Sequence, residues 1–408
     1  MTSLSSLPTE LLLEVASYLV YHEPEPLCHR LPFHEWETAI EEQEPCVKDC
    51  FRDLSSLSIS CRRLHQAVGG LLSSRLVTGG WSDHAESVVC DVAKKPDLAV
   101  HIRDVYIRSM WDTQPWKGFW LIFSLPSLQT LTIHGDFMRA VGWDPEVIEP
   151  LIGASSVQIL RLCRSVNSKE MLTQILRFPR ALKELWYEID APDWDKDLDG
   201  PFTCAALEWA LSPQAESLEK LVLTRPVAVQ QPDALDLRRF PKLKTLCHYH
   251  MLTHSADEWN RLPPNIEDLE VFYDDDDVSF TYPHDFASGP SWLIALLEEM
   301  VSLNGDRQKS RYLPKLKRIR IFASEGDYFD ESLHVDEEIP GFDERRGITA
   351  PNSPWKPPST LIKLFLSAGV SFSIFLNEKM HYRYTINDDD SFQSVWEDDW
   401  TWEHDWTW

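Results

Sequence analysis

Near the start of the chain, Leu4, Leu7, Leu11, Leu12, Val15 and Leu19 fall mostly three and four residues apart, the spacing that lines one face of a helix. Pro8 suits the first helical position, where its missing N–H costs nothing. Thr9 and Glu10 then put a hydroxyl and a negative charge in the first turn, where both are favoured. A second run follows Asp53, a good N-cap: Leu54, Leu57, Ile59, Cys61, Leu64 and Val68, closed by Gly69 and Gly70. A third short segment, Leu71 to Val77, keeps helical spacing, so a third helix is expected there. Three short helices make a poor independent core, and they carry more apolar surface than they can bury among themselves. Burial against a partner is the expected solution.

From His101 onward the pattern changes to apolar, two residues, apolar, one residue, apolar. It reads Ile102/Val105/Ile107, Leu128/Leu131/Ile133, Val157/Leu160/Leu162 and Leu182/Leu185/Tyr187. It continues as Leu218/Leu221/Leu223, Leu243/Leu246/His248, Ile266/Leu269/Val271 and Leu316/Ile319/Ile321. The window starts are 26, 29, 25, 36, 25, 23 and 50 residues apart, and five of these seven spacings suit a leucine-rich repeat period. Pro126, Pro179, Pro241, Pro264 and Pro314 each precede a window by two or three residues. Helices are expected between windows, after the capping box Asn167-x-x-Glu170, over Thr203 to Leu211 and over Ser291 to Leu303. Ser359 to Ala368, Gly369 and the alternation Val370/Phe372/Ile374/Leu376 predict a last helix and strand. Strand-then-helix units of this kind bury their faces only against their neighbours, which gives an α/β solenoid of parallel strands.

Composition narrows the function. In 408 residues, 65 acidic against 39 basic side chains give a net charge of −26, which repels phosphate backbones, so no nucleic-acid partner is expected and a basic protein partner is favoured. Met1 to Thr9 has neither a basic n-region nor a long apolar stretch, and no apolar run approaches 18 residues, so no membrane association is expected. The scattered cysteines fit free thiols in a reducing compartment, cytoplasmic, nuclear or both. Cys28, His29, His34, Cys46 and Cys50 include zinc-type ligands, but no second tight pair faces Cys46-x-x-x-Cys50, so no metal is expected. The run Asp274 to Asp277 lacks the alternation and glycine of a calcium loop and reads as a solvated charge run. No nucleophile elbow, paired-histidine zinc motif, phosphate loop or dinucleotide fingerprint occurs, so no enzyme activity and no cofactor are expected. His248 and His250 flank Tyr249 on a predicted strand; a structural role is expected there, with lining of the concave face as the alternative.

The two N-terminal runs carry a family resemblance. Leu7-Pro8-Thr9-Glu10-Leu11-Leu12-Leu13-Glu14-Val15 resembles the opening of an F-box, and Asp53 to Leu64 resembles its second half. The resemblance covers about forty residues. It implies a helical module, placed at 1–77, that docks on the small adaptor of SCF ubiquitin ligases and through it on a cullin. The implied adaptor-binding residues are Leu7, Pro8, Glu10, Leu11, Leu12, Val15, Leu19, Leu54, Leu57, Ser58, Cys61 and Leu64. In the family only a few residues separate the halves, whereas here a Pro- and Glu-rich loop at 21–52 intervenes; it either rides on the surface or modulates docking. The windows at 78–378 resemble the irregular leucine-rich repeats often joined to F-boxes, although the Asn or Cys that usually follows each strand is mostly absent. The resemblance implies a substrate-recognition subunit that binds a protein substrate through its repeats. A non-catalytic interaction scaffold with no ligase role is the alternative. Residues 379–408 form an acidic tail with Trp396, Trp400, Trp402, Trp406 and Trp408, expected either as a disordered end or as a docking peptide.

Overall fold

The structure is a computed structural model. It describes residues 8, 11–12, 56, 59–60, 62, 64–65, 74–80, 82–109, 119–134, 145–165, 169–189, 203–224, 235–249, 261–273, 298, 301–302, 313–323, 359–377 and 380–384. The chain divides into two compact units, Met1–Pro201 with Trp209–Leu218, and Phe202–Glu208 with Glu219–Trp408. The class is α/β. No helix among the described residues is long and apolar enough to cross a membrane.

In the first unit, β1 (Arg75–Gly80), β2 (Asp104–Ser109), β3 (Thr130–His134), β4 (Ile159–Ser165) and β5 (Glu184–Ile189) pair in chain order, every neighbour parallel. Helix α1 (Ser82–Ala93) follows β1, and α2 (Lys169–Arg177) lies between β4 and β5. Strand register aligns Val105, Leu131, Leu160 and Leu185 in one row and Ile107, Ile133, Leu162 and Tyr187 in another. All eight are buried, which is why the apolar-x-apolar spacing recurs. Residues 75–77, expected as the end of a third helix, instead open β1. The β-branched pair Val77-Thr78 suits a strand, and the β2 edge supplies hydrogen-bond partners that a lone helical turn would lack.

In the second unit, β6 (Lys220–Thr224), β7 (Thr245–Tyr249), β8 (Asp268–Tyr273), β9 (Arg318–Ala323) and β10 (Ser371–Asn377) pair in chain order, every neighbour parallel. Helix α3 (Cys204–Leu211) starts at Thr203, whose Oγ1 accepts the Ala206 N–H at 3.1 Å, and the boundary between the units falls inside it. Helix α4 (Ser359–Ala368) ends at Gly369 with φ 64°, where the Val370 N–H bonds the Phe365 carbonyl at 3.2 Å. Strand β11 (Met380–Tyr384) then turns back antiparallel on β10, placing Tyr384 opposite Phe372. It was not anticipated, although Met380, Tyr382 and Tyr384 alternate as a strand should; it begins inside the segment read as tail.

Two local devices recur. Before β3, β7, β8 and β9 the chain makes a turn with Pro or Pro-Pro inside it, closed by Leu128 N–H to Leu125 O, Leu243 to Phe240, Ile266 to Pro263 and Leu316 to Leu313 at 3.1–3.3 Å. Proline presets the backbone of such a turn, and the residues that close it are buried. Beside it, one carbonyl accepts two successive amides of the next unit. Arg103 O takes Gln129 and Thr130, Gln129 O takes Gln158 and Ile159, and Gln158 O takes Lys183 and Glu184. In the second unit Glu219 O takes Lys244 and Thr245, Lys244 O takes Glu267 and Asp268, and Glu267 O takes Lys317 and Arg318.

Candidate functional site

Pro8 O accepts the Leu12 N–H at 3.0 Å, the spacing of an α-helical turn. Pro8 is exposed and Leu11 is 45% exposed, whereas Leu12 is 1% exposed. Leu11 and Leu12, both on the predicted stripe, thus differ in how much of each the chain covers. In the second half of the motif, Ser56, Ser60, Arg62 and His65 are exposed, Ile59 is 84% exposed and Leu64 is 5% exposed. Leu12 and Leu64, expected at the adaptor surface, are therefore taken up by packing within the chain. Ile59, not among the expected contacts, is the most uncovered apolar side chain among the described residues of the motif; its place in the apolar run after Asp53 was the available signal. Leu7, Glu10, Val15, Leu19, Leu54, Leu57, Ser58 and Cys61 lie outside the described residues, as do the 21–52 loop, the Asp274–Asp277 run and the five tail tryptophans.

The other concentration of chemistry lies on the strands. In the first unit Arg161 is 3.9 Å from Glu184 and its guanidinium stands 5.8 Å from the centre of the Trp186 ring. Trp186 Nε1 donates to Glu184 Oε1 at 2.5 Å. In the second unit consecutive strand starts carry alternating charge: Glu219 pairs with Lys244 at 3.2 Å, and Glu267 with Lys317 at 2.5 Å. One step further along, Asp268 meets Arg318 at 2.9 Å and Glu270 meets Arg320, each at its registered partner. The Lys317 ammonium beside Glu267 holds that carboxyl below its ordinary value and is itself pushed up by it. These groups neutralise one another across strands, as expected for directly opposed opposite charges.

Cys247 and His248 are both buried on β7. Burial pushes the Cys247 thiol far up, against the pull of Arg320 and Lys220, so it stays protonated and is no nucleophile at neutral pH. His248 is buried and pairs with the buried Val271 on β8. His250 lies outside the described residues. Cys90, Cys163, Cys204 and Cys247 form no disulfide among the described residues, nor does any group of three or more potential metal ligands occur among them.

One carboxylate is held at a cost. Glu208 on α3 accepts the Asp236 N–H at 2.5 Å, and burial raises its carboxyl above the ordinary value despite that bond. A raised folded value means that the ionised form weakens folding: the favourable contribution is complete below the unfolded value and is lost as pH rises through the folded one. Glu208→Gln keeps an acceptor oxygen and removes the charge. The variant is expected to equal or exceed the parent in stability at pH 7 and to lose that advantage near pH 4, measured by urea unfolding across pH; a parent that is the more stable at pH 7 would contradict this.

No protein-family model matches this chain, and no curated protein matches it.

Proposed function

We propose that the chain is a substrate-recognition subunit of an SCF-type ubiquitin ligase, with the N-terminal motif docking the adaptor and leucine-rich-repeat-like units binding a protein substrate. The observation that carries the reading is the apolar surface left uncovered on the motif, Leu11 and above all Ile59, while Leu12 and Leu64 are consumed inside the chain. Large exposed aliphatic side chains on short helices are what a partner groove takes up. The repeated strand units supply a rigid array for the second partner. The adaptor contact is thereby assigned to Pro8, Leu11 and Ile59 rather than to Leu12 and Leu64.

The test is co-purification with the adaptor. Leu11→Asp combined with Ile59→Asp should leave the fold intact and weaken adaptor capture by about tenfold or more, since a buried charge in an apolar contact is costly. Leu12→Ala should instead lower stability. Full capture by the exposed-pair variant would sink the assignment. The second reading is an interaction scaffold whose motif only packs internally, and the burial of Leu12 and Leu64 favours it. It requires that the parent chain ignore adaptor and cullin altogether.

A further inference from the structure

The chain carries a net charge of −26, yet the strand starts of its second unit are basic. The segments 219–220, 242–245, 265–268 and 315–318 hold Lys220, Lys242, Lys244, Lys315, Lys317 and Arg318 against Glu219, Glu267 and Asp268, an excess of three positive charges. Lys242 and Lys315 occupy the same position in successive Pro-Lys turns, stand exposed, and form no ion pair among the described residues. Lys244, Lys317 and Arg318 are paired but remain exposed along their stems.

Strand β11 delivers the chain to this end of the sheet. Because it runs antiparallel to β10, it finishes at Tyr384 opposite Phe372, which pairs with Ile319 beside Arg318. Two strand spacings of about 4.8 Å separate β11 from β9. Residues 387–408, which begin after Thr385 and Ile386, hold eight acidic side chains, no Lys or Arg, and five Trp. At ~3.3 Å per residue this segment reaches every strand start of the unit. Carboxylates suit exposed lysines, and indole faces suit ammonium and guanidinium groups; Lys169 over Trp209 at 4.5 Å is an instance of that contact in this same chain.

We propose that residues 387–408 dock on the basic strand-start edge of the second unit, with Lys242 and Lys315 as the principal anchors. The proposal does not depend on the adaptor contact.

Hydrogen exchange of the full chain reads it directly. Amides in 387–408 should exchange about tenfold or more slowly than in the free peptide of the same sequence. The protection should be lost in 1 M salt, where the screening length falls to ~3 Å, and lost in Lys242→Glu/Lys315→Glu at low salt. Exchange equal to that of the free peptide in the parent chain overturns the proposal, as does protection that survives both salt and substitution. Protection that rises with protein concentration would place a second copy's segment on the edge and would overturn docking within one chain.

Discussion

Phe178→Ala is expected to lower stability by about 4 kcal/mol, within the range for truncating a buried aromatic. The residue follows α2, and its ring packs 5.2 Å from that of Trp120 and 4.7 Å from that of Phe123. Phe119 completes the cluster, edge-on to both Trp120 and Phe123 at 5.0 and 5.8 Å. All four rings are buried, so truncation leaves a cavity within a close-packed cluster. The backbone of Phe178 is fixed as well, its N–H on Ile175 O and its carbonyl receiving the Ser155 N–H. For a unit of this size the loss corresponds to a melting temperature lower by roughly 8–16 °C, read by circular dichroism. A shift under about 2 °C would mean that the rings do not form a shared core.

Gln214→Leu is the second large effect. This buried side chain satisfies both of its ends: Oε1 accepts the Leu182 N–H at 2.8 Å and the Ser217 hydroxyl at 2.7 Å. Nε2 donates to Leu176 O at 2.7 Å and Pro179 O at 2.9 Å. Leucine preserves the bulk but strands a buried amide and withdraws a donor from two carbonyls, at about 1–3 kcal/mol for each group left unsatisfied. A total of roughly 3 kcal/mol is expected, with the Leu182 amide among the first to gain exchange in the variant. Urea unfolding within about 1 kcal/mol of the parent would show that the amide is dispensable. Ser156 makes a smaller tie of the same kind to Leu128 O at 2.8 Å, and Asn265 another to Pro241 O at 2.5 Å.

The windows were legible because burial on one side of a strand imposes a two-residue period that no other force imitates. Leu128, Leu131 and Ile133 announce β3 as clearly as Ile266, Leu269 and Val271 announce β8. Thr203 and Gly369 announced the ends of helices because each satisfies backbone groups that nothing else nearby can reach. Strand β1 was missed because Leu71 to Val77 fits either period, and only pairing with β2 decides between them. Gln214 was invisible for a related reason: a lone glutamine acquires meaning only from carbonyls 35 and 38 residues away. The candidate adaptor surface was half legible. Helical spacing identified Leu11 and Leu12 together, but which of them the rest of the chain would cover is a tertiary fact.

The two-amide junction makes the repeat indifferent to what lies between its copies. Glu219 O and Glu267 O receive the next unit in the same way, although the following window starts 25 residues on in one case and 50 in the other. Since doubling a loop costs only about 0.6 kcal/mol in closure entropy, extra sequence between β8 and β9 is close to free so long as both junction residues survive. Each crossover is thus a place where a new segment can be trialled, kept or lost without retuning the sheet, so the array can change what it carries faster than it changes how it folds.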